Sequence, residues 1–178
     1  MPPMQQSKLA AEFVSYASRK LRDHLAQIRR CVALLSEEQV WFRPNDNSNS
    51  VANLLLHLSG NLRQWIIGGV AGRPIARNRQ AEFDARGGIS KDEALARLEQ
   101  TVHEVCTVME NAGDDVLTRI YEIQTYQVSG AAAILHVVEH FAFHTGQIVT
   151  TTKWLLDVDL SLYNEHGHRR DGRDAGVP

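Results

Sequence analysis

Residues 133–156 read AILHVVEHFAFHTGQIVTTTKWLL, and the fold turns on how this stretch is read. No proline interrupts it. Ile134, Val137, Phe141, Ile148 and Leu155, with Thr151, recur in alternating three- and four-residue steps, the period of a helix with one buried face. His136, His140 and His144 recur every fourth residue, and positions four apart on a helix lie one above the other. Each neighbouring pair therefore has a spacing at which two imidazoles can share one ion, because a zinc-like cation needs nitrogens about 2.0–2.1 Å away. All three do not converge equally, since eight residues rotate a helix by roughly 80° net. At about 100° per residue, His144 lies roughly 30° from the centre of the apolar seam, His140 about 70° and His136 about 110°. His140 and His144 are thus expected to face the interior and His136 to sit at the flank, beside the pair. A histidine in a buried seam needs partners for its ring nitrogens. A metal ion is one such partner; a backbone carbonyl or a carboxylate is the other.

Outward from this helix the chain holds three more long helical patterns. Ser7 opens the first, to about residue 35, with Leu9, Phe13, Tyr16, Leu21, Leu25, Ile28, Val32 and Leu35 as its apolar stripe. Ser36-Glu-Glu-Gln39 is a capping box for one short turn before Pro44. Residues 45–50 are a polar loop, and Asn49 or Ser50 caps a second helix to about residue 70. That helix is apolar nearly all round, the mark of a buried one, except for Asn53, His57, Asn61 and Gln64 along one side. Buried polar groups in a row must bond each other, a ligand or water. Gly68, Gly69 and Gly72 are expected to end the helix. Residues 72–89 form a long basic connection, a length that is usually functional or mobile. Ser90-Lys-Asp-Glu93 is a capping box for a third helix to about Asn111. Residues 117–128, rich in β-branched and aromatic side chains, read as an extended crossing segment or short hairpin. Ser129 caps the fourth helix. The architecture expected is all-α: an up-down four-helix bundle with a long connection after the second helix. One domain spans 1–178, with its core in about 7–160 and a flexible tail from 164.

The chain has 178 residues, 43% of them hydrophobic, and a net charge of −2. That is enough for one sizeable core and leaves no electrostatic footprint for nucleic acid or an anionic membrane. No apolar run approaches the ~20 residues of a membrane span, and the first residues lack a signal pattern. Cys31 and Cys106 lie far apart inside helical patterns, which suits reduced thiols and a cytoplasmic protein.

The third ligand must come from another helix, and His57 is the histidine of the buried second one. His24 and His103 sit among charges and read as surface; His166 and His168 lie in the tail. The assembled site is His57, His140 and His144. Three imidazoles leave a coordination position open, the catalytic rather than the structural pattern. Such an ion can hold a water or thiol as a nucleophile near neutral pH. One divalent ion per chain is expected, zinc or nickel first, iron or manganese as the alternatives. Asn61 lies one turn beyond His57 and Gln147 one turn beyond His144, so both are expected to line the pocket. Arg77 and Arg79 on the connection are placed to hold an anionic part of a small-molecule substrate.

His57 within ANLLLHLSGN, the HVVEHFAFHTGQI segment and the four-helix layout together resemble the DinB-like (YfiT-like) metalloprotein superfamily, over about residues 7–160. The resemblance implies a divalent metal on His57, His140 and His144. It also implies a bundle of a kind that often forms homodimers. Some members of the superfamily are thiol S-transferases that use low-molecular-weight thiols. Phe143 stands where many relatives have a second histidine, and Thr145 where they often have arginine. Two other readings compete: a non-catalytic metal-binding or interaction bundle tied to stress or redox, and an inverted zinc-hydrolase motif His136-Val-Val-Glu139-His140 with Glu139 as general base. A di-iron carboxylate bundle needs Glu-x-x-His on two helices, which the chain lacks.

Overall fold

Serine caps set where the long helices begin. The Ser7, Ser50, Ser90 and Ser129 hydroxyls accept from the backbone N–H three residues on, and so open α1 (Lys8–Leu34), α3 (Val51–Leu62), α5 (Lys91–Glu110) and α7 (Gly130–Leu156). Ser36 does the same for the short α2 (Glu37–Trp41). The expected capping boxes at Ser36 and Ser90 are both present, and Ser50 with Asn53 makes another. The computed structural model describes residues 7–166, so the expectation for the tail, including His168, falls outside the described residues from 167 onward. Among the described residues no helix is long and apolar enough to cross a membrane.

The second helix does not stop at Gly68 and Gly69, as expected from sequence. It continues from α3 as a π-helical segment, Arg63–Val70. A Cβ on Gly68 would stand 2.9 Å from Ile75, and one on Gly69 2.5 Å from Ile123. These glycines are gaps for side chains from the connection and the hairpin, not terminators. Gly72, at φ +65°, makes the turn that leaves the helix. The 72–89 connection is not all loop: Asn78 caps a short helix, α4 (Arg79–Asp84). After α5 come α6 (Asp114–Thr118) and the antiparallel strands β1 (Ile120–Ile123) and β2 (Tyr126–Ser129), paired Ile123 to Tyr126.

Cross-helix contacts give the directions. Arg22 pairs with Glu110 and Arg29 with Glu99, so α1 and α5 run antiparallel. The His24 ring lies 6.5 Å from Phe141, and Cys31 meets Thr152, so α1 and α7 run parallel. His57 meets His140 while Trp65 meets His136, so α3 and α7 run antiparallel. It follows that α3 and α5 point the same way. The expected up-down alternation breaks there: the order is up, down, down, up. Val51–Val70 rises about 30 Å, and a parallel return over that length needs a long crossover, which residues 71–90 provide. The helices close on a core in which Leu21, Ile28, Leu55, Leu58, Leu62, Ile66, Leu98, Met109, Ile134 and Phe141 are fully buried.

Two faces differ from the sequence reading. In the first turns of α1 the core takes Ala10, Val14 and Ala17, leaving Leu9 81% exposed. In α7 the seam takes Thr145 and Thr152 rather than His144 and Thr151. Both threonine hydroxyls donate to the carbonyl four residues back, at 2.8 Å. A threonine satisfied that way buries its methyl at little cost.

Candidate metal centre

His57 comes from the buried face of α3, His140 and His144 from successive turns of α7. The seam sits one residue further round than its apolar period suggests, so both α7 histidines are half-buried beside the core. The turn that would have buried His144 instead aims it at α3. The Nε2 of His57 lies 3.1 Å from that of His140, and the Nε2 of His144 lies 3.2 Å from the same atom. One ligand atom from each of the three falls within 4.8 Å of the others. A tetrahedral ion at 2.0–2.1 Å holds neighbouring nitrogens roughly 3.3 Å apart, so the spacing fits.

The outer nitrogens decide the tautomers. His57 Nδ1 lies 3.0 Å from Glu82 Oε2, which only accepts, and 3.3 Å from Arg77 Nη2, which only donates; the shorter contact, to the carboxylate, assigns the proton to Nδ1. His144 Nδ1 donates to Gln147 Oε1 at 2.6 Å. Both rings therefore turn an Nε2 lone pair toward His140. Three nitrogens converging with two lone pairs fixed cannot all satisfy one another, and His140 Nδ1 is buried without a hydrogen-bond partner. The donor set suits a cation.

Burial pushes His140 down from the usual 6.5 to about 3, helped by the nearby His144, His57 and His136 rings and the Arg77 charge. Burial lowers His144 and His136 too. Below about pH 6.5 the unfolded chain binds protons at these rings that the folded chain refuses, at His140 down to about pH 3. Metal-free protein is thus expected to lose stability steadily as pH falls from about 7 to about 4, read as a falling urea midpoint. A midpoint flat across that range would contradict neutral histidines in the folded site.

Glu82, on the 72–89 connection, joins the site through His57. It sits half-buried on α4, against the site. Its Oε1 accepts from Arg77 Nε at 2.7 Å and its Oε2 from Arg77 Nη2 at 2.8 Å. Burial disfavours its charge, yet the Arg77 and His57 hydrogen bonds and charges outweigh burial and hold its pKa below the ordinary range. Arg77 is only 7% exposed and also binds Gln64, so it is committed to the protein. It lines the cavity beside His57 with its guanidinium already paired to Glu82. Gln147, also expected to line the pocket, is exposed on α7 beside His144. It orients His144 and lines a separate groove beside Phe143, Gly146 and Thr150.

A cavity of about 470 Å³ opens on His57 and His140. Asn61, Arg77 and Arg79 line it, together with Trp65, Tyr126, Val128 and Gln124. The π-helical segment and the hairpin thus build walls that no motif announced. His136 also faces the cavity, stacked on Trp65 at 3.9 Å, outside the three-histidine group. Glu139, the general base of the inverted-hydrolase motif, is exposed on α7. His103 is exposed as expected, whereas His24 is half-buried near Phe141. The polar stripe of α3 splits its work: Asn53 donates to the Glu82 and Ala85 carbonyls at 2.9 and 3.0 Å and pins α4 down.

A family model described as "Protein of unknown function (DUF1572)" matches residues 8–163. The crystal structure of a DinB-like protein from Bacillus subtilis, YjoA, is similar with a TM-score of 0.63 and 15% identity, over 86% of this chain and 99% of that one. At that identity the likeness shows the fold, which is DinB-like. A comparison with curated proteins finds no match.

Proposed function

We propose that this chain, which belongs to the DUF1572 family and has the DinB-like fold, holds one divalent metal ion on His57, His140 and His144 and acts on a small molecule in the adjoining cavity. The observation that carries the reading is the convergence of three imidazole nitrogens, two with tautomers already set to bind a cation. An all-nitrogen set suits zinc or nickel ahead of manganese, with iron as the remaining candidate. When bound, such an ion supplies Lewis acidity that makes a thiol or water nucleophilic near neutral pH. The reaction proposed is thiol S-transfer or hydrolysis.

The chain's own residues shape the rest. Trp65 and Val128 offer apolar wall, and the buried Asn61 amide can orient a substrate carbonyl or a nucleophile. Arg79 is exposed at the cavity edge, its guanidinium 4.9 Å over the Phe83 ring, and takes the anion-holding role. Arg79→Ala is expected to raise KM for a carboxylate-bearing thiol about tenfold, the loss of one charge-assisted hydrogen bond, with kcat little changed. Equal KM for charged and neutral thiols in the parent protein would remove that role. Both cysteines are buried, and burial raises their pKa, so neither is a ready nucleophile. The thiol must come from outside the chain. A cytoplasmic homodimer belongs to the same reading; Phe42, Phe143 and Trp154 are the exposed apolar surface it would cover, and light scattering reports the mass.

The test is a screen of low-molecular-weight thiols with an electrophile such as a haloarene, on loaded and metal-free protein. Turnover is expected only in the loaded form. Equal turnover in both removes the metal from the mechanism. Tight metal binding with no turnover for any thiol or hydrolysable substrate favours the non-catalytic bundle.

A further inference from the structure

We propose that Glu82 is a positioning residue of the metal centre, held by Arg77 in a space that Gly60 leaves open, and that it makes His57 the anchoring ligand of the three. The proposal rests on His57, His140 and His144 being the metal ligands.

The three rings are supported unequally. His140 Nδ1 has no hydrogen-bond partner. His144 leans on Gln147, an exposed neutral amide of its own helix. His57 alone leans on a charged group, and that group comes from a distant segment. Its side chain is 5% exposed and that of Glu82 12% exposed, so water competes little for the bond. A carboxylate behind the outer nitrogen fixes the tautomer and ring orientation and makes the inner nitrogen more basic.

Glu82 cannot turn away. Both its oxygens are engaged by Arg77, whose Nη1 in turn reaches Gln64. The backbone beneath it is pinned by Asn53. Gly60, one turn after His57 on α3, faces this pair. A Cβ there would stand 2.0 Å from Glu82 Oε1 and 2.7 Å from Arg77 Nε. Any side chain at position 60 would therefore displace the Glu82 carboxylate or the Arg77 guanidinium from where they now sit. Gly60 has ordinary helical surroundings and no positive φ, so close approach, not backbone freedom, is what uses a glycine here. The same α3 face that presents the ligand also makes room for its support.

The experiment uses full-length protein with zinc as the probe and two readouts. One is zinc affinity, by competition with a chelator. The other is the His57 ring tautomer in metal-free protein, from 15N chemical shifts. Glu82→Ala and Gly60→Ala are each expected to weaken zinc binding by on the order of 10–100-fold and to shift His57 away from the Nδ1–H form. Glu82→Gln keeps an accepting oxygen and should recover part of both. Glu104→Ala, which breaks the more exposed pairs to Arg63 and Arg73, should leave both readouts unchanged. A fall in thermal stability for Glu82→Ala and Gly60→Ala with unchanged tautomer and affinity would overturn the proposal in favour of a merely structural ion pair. If the parent protein binds neither zinc nor nickel, the functional reading fails, and the tautomer readout still decides whether Glu82 sets the His57 ring.

Discussion

His144→Ala is expected to abolish metal binding, whereas His136→Ala only weakens it. The two histidines sit on one helix, eight residues apart, and look alike in sequence. Their surroundings separate them. His144 turns its Nε2 to within 3.2 Å of His140 Nε2, with its outer nitrogen already donating to Gln147. His136 lies flat on Trp65 and falls outside the group of nitrogens able to hold one ion. Removing a ligand should exceed the roughly 10–100-fold cost of removing a supporting partner. Removing His136 should stay at or below the low end of that range, through the lost wall of the cavity. A chelator competition assay on the two variants measures both. The inverted-hydrolase motif requires the opposite order, so metal that survives loss of His144 but not of His136 would overturn the assignment.

Phe141→Ala is expected to cost about 3–5 kcal/mol of stability, the usual range for emptying a buried aromatic site. Phe141 lies between His140 and His144 on α7 and is fully buried, with the His24 ring of α1 6.5 Å away. It fixes the rotation of α7 and so the angle at which His140 and His144 meet α3. Phe143, two residues on, is 64% exposed, and its replacement should change stability by no more than about 0.5 kcal/mol. Urea denaturation of the metal-free variants gives both values. Zinc at about a hundredfold over its dissociation constant should return about 2.7 kcal/mol to any variant that still binds. Equal effects at positions 141 and 143 would mean that α7 is rotated from the position described.

The helices were legible because their beginnings are written locally. A serine followed three residues on by a glutamate, glutamine or asparagine sets an N-terminus by its own hydrogen bonds. The three-histidine cluster was legible because four-residue spacing and burial are both periodic properties. What sequence did not disclose depends on contacts between distant segments. Thr145 reads as polar but hides its hydroxyl on Phe141, so the seam passes through it and leaves His144 at the edge. Gly68 and Gly69 look like terminators, yet the chain uses them to admit Ile75 and Ile123. Arg77 looks like a free cation on a basic loop, and only the fold reveals that Glu82 already occupies it. The parallel course of α5 beside α3 has no local signal beyond the length of the connection.

The most direct test of the three-histidine centre is zinc titration of protein purified without an affinity tag and stripped of metal, followed by X-ray absorption at the zinc edge. The account predicts saturation at one ion per chain and a first shell containing three imidazole nitrogens at about 2.0–2.1 Å, with no sulfur. Failure to bind zinc or nickel at micromolar concentration, or a shell built from the cysteines, would contradict it.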